Sequence, residues 1–261
     1  MTLLRTVGMS GMLSFRALFA WSTPGLFLAS LIVTPALQIL FFVALGHALG
    51  YQNPAFFIVG NGIQVAATAG ISGMVSVIAN ERRFGTLGFI LGSPSSRVAV
   101  FVGRMLPGVV CGIIVAMLTS GLGLMFLSKA LTVGQLVLYL LAIIVASISC
   151  SGMGLALSAT GLVYREIFQI ASAAYLLTMV VSGANVDRAT LPNWVRTVGD
   201  VLPTTHAIDA VRGMLSGAAL SVTLLSLGWE LVVAACWITI ALVLMKVFER
   251  VAKRRAALDL Y

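Results

Sequence analysis

Charge is what this sequence has least of: Asp, Glu, Lys and Arg make up 9% of its 261 residues, where a soluble domain carries roughly 25%. So few charges cannot cover a surface that meets water, so most of the surface must meet lipid. A GxxxxGK[ST] loop is absent, and no Gly-rich turn precedes a lysine at a similar spacing. That loop holds nucleotide phosphates through backbone N–H groups and its lysine. The chain is therefore expected to hold no ATP or Mg itself, and any ATP use must come from a partner.

Catalytic and metal-binding sets are missing too. Cys111, Cys150 and Cys236 lie inside apolar runs, without CxxC spacing or a neighbouring His. They read as packing residues, with no disulfide and no metal site. No catalytic residue is assigned. A cleavable signal peptide is not expected, because the first twenty residues hold Arg5 and Arg16 but no compact apolar core followed by a small-residue cleavage site.

What is present is apolar. Hydrophobic residues make up 60% of the chain and the mean hydropathy is +1.07. The apolar runs are long and continuous rather than short and alternating, which predicts helices instead of a barrel. A bilayer core needs about 20 apolar residues per helix. Segments 23–46, 55–79, 98–127, 135–160, 167–184 and 222–247 fit. The reading is an all-α, polytopic membrane protein with six transmembrane helices in one domain, 1–261. Pro35 and Pro107 fall inside these runs, as membrane helices tolerate.

The net charge of +8 does not signal nucleic acid, because the basic residues form short clusters between apolar runs. With the N-terminus inside, the cytoplasmic side holds twelve of the 16 Lys and Arg, among them Arg5, Arg16, Arg82, Arg83, Arg97 and Arg165. The outer side holds Lys129, Arg188, Arg196 and Arg212. This bias predicts a multi-pass protein of the cell inner (plasma) membrane with both termini cytoplasmic.

Two segments fall outside the runs. In residues 1–22, Leu3, Leu4, Val7, Met12, Phe15, Leu18 and Phe19 alternate with Arg5, Ser10, Ser14 and Arg16, a pattern that suits a helix lying in the cytoplasmic interface. Residues 185–221 mix Asp187, Arg188, Arg196, Asp200, Asp209 and Arg212 with Leu191, Val195, Val198, Ile208 and Val211. That is too apolar for a solvated loop and too charged for a crossing. Short re-entrant helices dipping into the outer leaflet and broken near Pro203 are expected.

Candidate polar groups inside the runs are few. Gln38, Asn61 and Gln64 either line a translocation path or bond between helices. Glu230, about eight residues into the last run, is a costly intramembrane carboxylate and a functional candidate, or else a helix-end group reaching the outer interface. An ion-coupled carrier needs buried coupling charges near mid-membrane, and only Glu230 qualifies. Gly70-Ile71-Ser72-Gly73 matches the GxSG of intramembrane serine proteases. That chemistry needs a His beside the Ser, but His47 and His206 fall at the outer surface, while Ser72 falls in the cytoplasmic half of its run. Gly46/Gly50 and Gly108/Gly112 have the spacing of close helix contacts.

The most informative stretch is Glu81-Arg82-Arg83-Phe84-Gly85-Thr86-Leu87-Gly88-Phe89-Ile90-Leu91-Gly92-Ser93-Pro94. It reads as a charged helix start, an apolar turn or two, and a Gly/Ser/Pro stop. It resembles the coupling-helix stretch of ABC-2 type exporter permeases, E-R-E/R-x-G-T-L-x-x-L-x-x-S/T-P, with Arg83 and Gly88 where many members carry acidic residues. Leu191-Pro192-Asn193-Trp194, Leu202-Pro203-Thr204-Thr205 and Val211-Arg212 are similar to that family's outer segment, and Pro35-Ala36-Leu37-Gln38 to its first helix. The resemblance implies a coupling helix at 81–97, with Glu81, Arg82, Arg83, Gly85, Thr86, Leu87 and Pro94 meeting a separate ATP-binding subunit. It also implies a second permease subunit, identical or different, and export of an amphipathic small molecule or lipid. A polysaccharide or glycolipid cargo is the alternative; sugar paths are rich in stacking aromatics, and aromatics are only 8% of this chain.

The charge bias makes a labelling prediction. With the native cysteines replaced, a membrane-impermeant thiol reagent applied from outside should modify Asn193→Cys and leave Ser95→Cys unmodified. The opposite pattern would invert the topology.

Overall fold

The computed structural model describes residues 8–12, 24–48, 50, 55–83, 97–126, 131–161 and 167–258, and these contain helices and turns but no strand. After the short helical stretch at 8–12 come α1 (Pro24–Ala48) and α2 (Ala55–Ala67). Helix α2 continues without a break through a π-helical turn, Thr68–Ser72, into α3 (Gly73–Arg83). Then follow α4 (Arg97–Leu124), α5 (Val133–Thr160) and α6 (Ile167–Val181). A 3-10 turn at Arg188–Thr190, α7 (Asn193–Val201) and α8 (Thr205–Leu215) lead into α9 (Leu220–Leu258).

Local chemistry explains several boundaries. Helix α5 opens with a capping box: the Gln135 N–H donates to the Thr132 hydroxyl, and the Thr132 N–H donates to Gln135 Oε1 at 3.0 Å. Pro35 and Pro107 sit inside α1 and α4 without ending them. Helix α9 contains no proline, so nothing stops it at the edge of its apolar part. It runs past 247, where the apolar run ends, through Arg250 to Leu258.

Among the described residues, four helical stretches are long and apolar enough to cross a membrane: Ala55–Val77, Val102–Leu124, Val133–Thr160 and Leu220–Phe248. The shorter apolar stretches Val33–Ala48 and Ile167–Val181 fall where the sequence places the first and fifth crossings. At 15 residues, α6 is only about 23 Å long, less than the roughly 30 Å of a bilayer core.

Helix α2 is the centre of the bundle. Phe57 through Ala67 are all buried, whereas α9 buries only 22% of its apolar window and turns Leu225, Trp229, Val232 and Val243 outward. One apolar cluster joins Val59 and Ile63 of α2, Ala142 and Ile143 of α5, Ile208 and Val211 of α8, and Leu227 of α9. A second joins Met74, Met105, Leu155, Ala241 and Met245. The three cysteines are free, with Cys150 buried beside Ile71 and Met153.

Small residues let the backbones approach. A Cβ on Gly108 would lie 3.2 Å from Ser151 Oγ, and one on Gly112 3.1 Å from Ser147 Oγ, so this pair lines the α4–α5 contact. Gly46 packs on the Phe57 ring, but Gly50 corrects the helix-contact reading. Its φ is +82°, it meets nothing within 4 Å, and it sits in the turn after α1. That backbone region favours glycine.

Gly60 provides the sharpest packing test. A Cβ there would lie 2.3 Å from the Ala184 carbonyl oxygen, a backbone atom that cannot swing away. Gly60→Ala should lower stability by about 1–3 kcal/mol, read as a lower melting temperature in detergent. Gly121→Ala, which meets nothing within 4 Å, should be neutral or slightly stabilising.

Candidate functional site

The polar residues of α2 define the site. Asn61 and Gln64 stand one helical turn apart, and both are fully buried. Buried amides must be paired, because an unmet polar group costs about 1–3 kcal/mol. Gln38 of α1 donates to Asn61 Oδ1 at 3.0 Å, and Tyr175 of α6 donates to Gln38 Oε1 at 3.2 Å. Asn61 Nδ2 donates to its own helix at Phe57 O and to Asn185 Oδ1 at 2.7 Å. This first cluster ties α1, α2 and the chain after α6 together, and its Gln38, Tyr175 and Asn185 are half-buried. Asn185 Nδ2 is buried and has no hydrogen-bond partner among the described residues.

Gln64 begins a second cluster. Its Nε2 donates to Thr178 Oγ1 at 3.0 Å, and its Oε1 accepts from Thr204 Oγ1 at 2.9 Å and Ser182 Oγ at 3.3 Å. Thr204 is the residue before α8, and it is the one described non-glycine residue with positive φ, +76°. Such a backbone costs about 1–3 kcal/mol unless its surroundings hold it. Here the side chain is held by Gln64 and the N–H by Glu230 Oε1 at 2.9 Å.

Glu230 then acts as a cap supplied from another helix. The first N–H groups of a helix have no intrahelical acceptor, and normally the N-cap side chain accepts from them. The Thr204 side chain makes no such bond, being engaged with Gln64. Glu230 of α9 substitutes: its Oε2 accepts from the N–H groups of His206 at 3.1 Å and Ala207 at 3.3 Å. The carboxylate is fully buried, ten residues past Leu220, or about 15 Å along α9. Its oxygens meet the positive end of α8.

Two arginines organise the segment between α6 and α9. Arg212 of α8 donates to the carbonyls of Gly183 (2.6 Å), Ala184 (3.0 Å) and Phe56 (3.1 Å), and its guanidinium lies 3.6 Å over the Phe56 ring. Burial lowers its pKa to about 10, with Asp209 and Asp187 opposing, so it stays cationic at neutral pH. Arg188 pairs with both Asp200 of α7 and Asp209 of α8. Burial pulls its pKa down, but these two carboxylates more than offset that and the net shift is upward. The Trp237 indole of α9 donates to the Val201 carbonyl at 2.9 Å, at the end of α7.

The structure thus brings Gln38, Asn61, Gln64 and Glu230 into two neighbouring clusters. Sequence reasoning missed Tyr175, Thr178, Ser182, Asn185 and Thr204 as their partners. Only Thr204 had a local signal, a threonine after Pro203 at the head of an apolar-periodic stretch. Ser72 closes the π turn, and its carbonyl accepts from Ser76 Oγ at 2.8 Å. The His206 ring lies against the Asp200 carbonyl at 3.1 Å.

Of the predicted coupling residues, Glu81, Arg82 and Arg83 are the last residues of α3, not the start of a separate helix. No breaker precedes Gly85, so the second span carries on to Arg83. Gly85, Thr86, Leu87 and Pro94 lie outside the described residues, as does most of 1–22. Residues 8–12 of that segment are helical and anchor on α4, with Ser10 Oγ donating to the Val100 carbonyl at 2.7 Å.

Comparison with known proteins agrees with the helical architecture. Residues 11–216 match the ABC-2 type transporter family. The chain is 24% identical over 180 residues to the probable multidrug ABC transporter permease YbhR of Escherichia coli K12, covering 68% of this chain and 48% of that protein. The Escherichia coli O157:H7 protein of the same name matches to the same extent. ABC transporter G family member 20 of Dictyostelium discoideum is 35% identical over 83 residues, 31% of this chain and 11% of that protein. The chain spans about half the length of the bacterial relatives it matches.

The capping geometry predicts an ordered stability series. Glu230→Ala strands three buried N–H groups and should cost about 3 kcal/mol or more. Glu230→Gln keeps one acceptor oxygen and should fall between it and the wild type. Thermal unfolding in detergent reads the order, and an Ala variant that melts with the wild type removes the capping role.

Proposed function

The chain belongs to the ABC-2 type transporter family, and we propose that it is the permease subunit of an ATP-driven exporter. A separate ATP-binding subunit, holding ATP and Mg, drives it. In this reading α1 and α6 complete six crossings in the inner (plasma) membrane. Both termini are cytoplasmic, residues 1–22 lie along the inner interface, and 185–221 re-enter the outer leaflet.

The observation that carries the reading is the half-buried polar edge made by Gln38, Tyr175 and Asn185, which the buried Asn61 ties together. Lipid offers such groups no hydrogen-bond partner, so this edge faces protein or a wet path. Beside it α6 exposes Phe168, Leu176, Leu177 and Val180. A second permease set against the α1–α6 edge encloses a path with both polar and apolar walls. Such a lining suits an amphipathic small molecule or lipid, in keeping with the multidrug designation of the bacterial relatives.

In mechanism, closure of the ATPase pair pushes on residues 81–97. The permease pair shifts between two arrangements, and the cargo leaves outward. A ligand bound elsewhere biases a bistable membrane element by its differential affinity for the two states. The absent phosphate loop assigns the hydrolysis to the partner.

Two measurements test this. The purified chain alone should show no ATPase activity, and hydrolysis by a contaminant-free preparation would sink the reading. In vesicles holding the partner ATPase, Glu81→Ala and Gly85→Pro should insert normally yet lose export about tenfold relative to hydrolysis. Normal export and normal stimulated hydrolysis in both variants would remove the coupling role of 81–97.

A further inference from the structure

The central helix contains a backbone irregularity that neither polar cluster uses. Between α2 and α3, Thr68–Ser72 form a π-helical turn. Such a turn accommodates one extra residue in an α-helix and is frequent at functional sites. α-Type bonding resumes at once, since the Gly73 N–H donates to the Ala69 carbonyl.

The turn has a seat on one side and free space on the other. A Cβ on Gly154 of α5 would lie 2.3 Å from the Gly70 oxygen and 2.9 Å from Ile71 Cα. A Cβ on Gly70 would lie 2.7 Å from Cys150 Cβ and 2.9 Å from the Ser151 nitrogen. The widened backbone therefore rests where α5 has no side chain. Thr68, Ser72 and Gly73 are only half-buried, and a Cβ on Gly73 meets nothing within 4 Å.

Its position in the helix is mechanical. Gln64, one turn before it, is held by Thr178, Ser182 and Thr204, and through Thr204 by Glu230. At the other end, Arg83 leads into residues 84–96. An unbroken α-helix would carry any cytoplasmic push straight to Gln64 and strain those buried bonds. Passing one residue through a π turn instead moves the cytoplasmic half by about 1.5 Å and turns it by about 100°, while Gln64 stays in place.

We propose that Thr68–Ser72 is a joint: during transport the extra residue shifts along the helix, so that α3 moves against α5 while the Gln64–Thr204–Glu230 contacts stay closed. This rests on the permease reading, and the test separates the two. Amide hydrogen exchange is measured on the full chain with its ATP-binding partner in lipid nanodiscs, with and without ATP plus vanadate. The expected result is a change of about tenfold or more in protection at 69–74 and none at 60–66. A change at 81–97 with none at 69–74 overturns the joint and leaves the permease reading standing. No change anywhere overturns both.

Deleting Ala69 is the independent check. Removal of the extra residue leaves α2 and α3 in their present register, so the chain should fold, while export falls about tenfold. Deleting Val65, in regular α-helix, should misalign Gln64 and destabilise the fold. Normal export by the Ala69 deletion overturns the joint, and if that variant fails to fold the exchange measurement decides.

Discussion

The buried carboxylate of Glu230 and the N-terminus of α8 require each other. Away from water, three backbone N–H groups at the head of α8 have no acceptor and a carboxylate has no solvation; each meets the other's need. Once α9 supplies this cap, the Thr204 hydroxyl is free to bond Gln64. Gln64 is thereby fixed on the central helix and in turn holds Thr178 and Ser182 at the end of α6. One buried side chain thus links α2, α6, α8 and α9.

The remaining connections around α7 and α8 follow the same rule. Arg212 gathers the carbonyls of Gly183 and Ala184 after α6 and of Phe56 in the first turn of α2, and its planar guanidinium stacks on the Phe56 ring. The α7 carbonyl at Val201 is met by Trp237. Arg188 then links α7 to α8 through Asp200 and Asp209. The irregular backbone here is surrounded by protein donors and acceptors.

Close packing at the centre depends on the absence of side chains. Helix α2 is enclosed almost completely, and its neighbours approach through Gly60, Gly62, Gly70 and Gly154. That closeness lets the π turn rest directly against the α5 backbone. It also leaves most of the outward surface to α1, α4, α6 and α9, whose exposed apolar side chains face lipid or a partner.

Much of this was legible in the sequence. Scarce charge and long apolar runs determined an all-helical membrane protein, because lipid offers a backbone no other way to satisfy its polar groups. Gln38, Asn61, Gln64 and Glu230 stood out because an uncompensated polar side chain is costly in such runs. Only the tertiary structure decided what each one does. Glu230 caps a helix that begins 25 residues before it, and Gln64 meets hydroxyls more than a hundred residues away. The π turn and the left-handed Thr204 were also beyond sequence reading. Periodicity reports which face of a helix is apolar, whereas these features arise from contacts between helices distant in the chain.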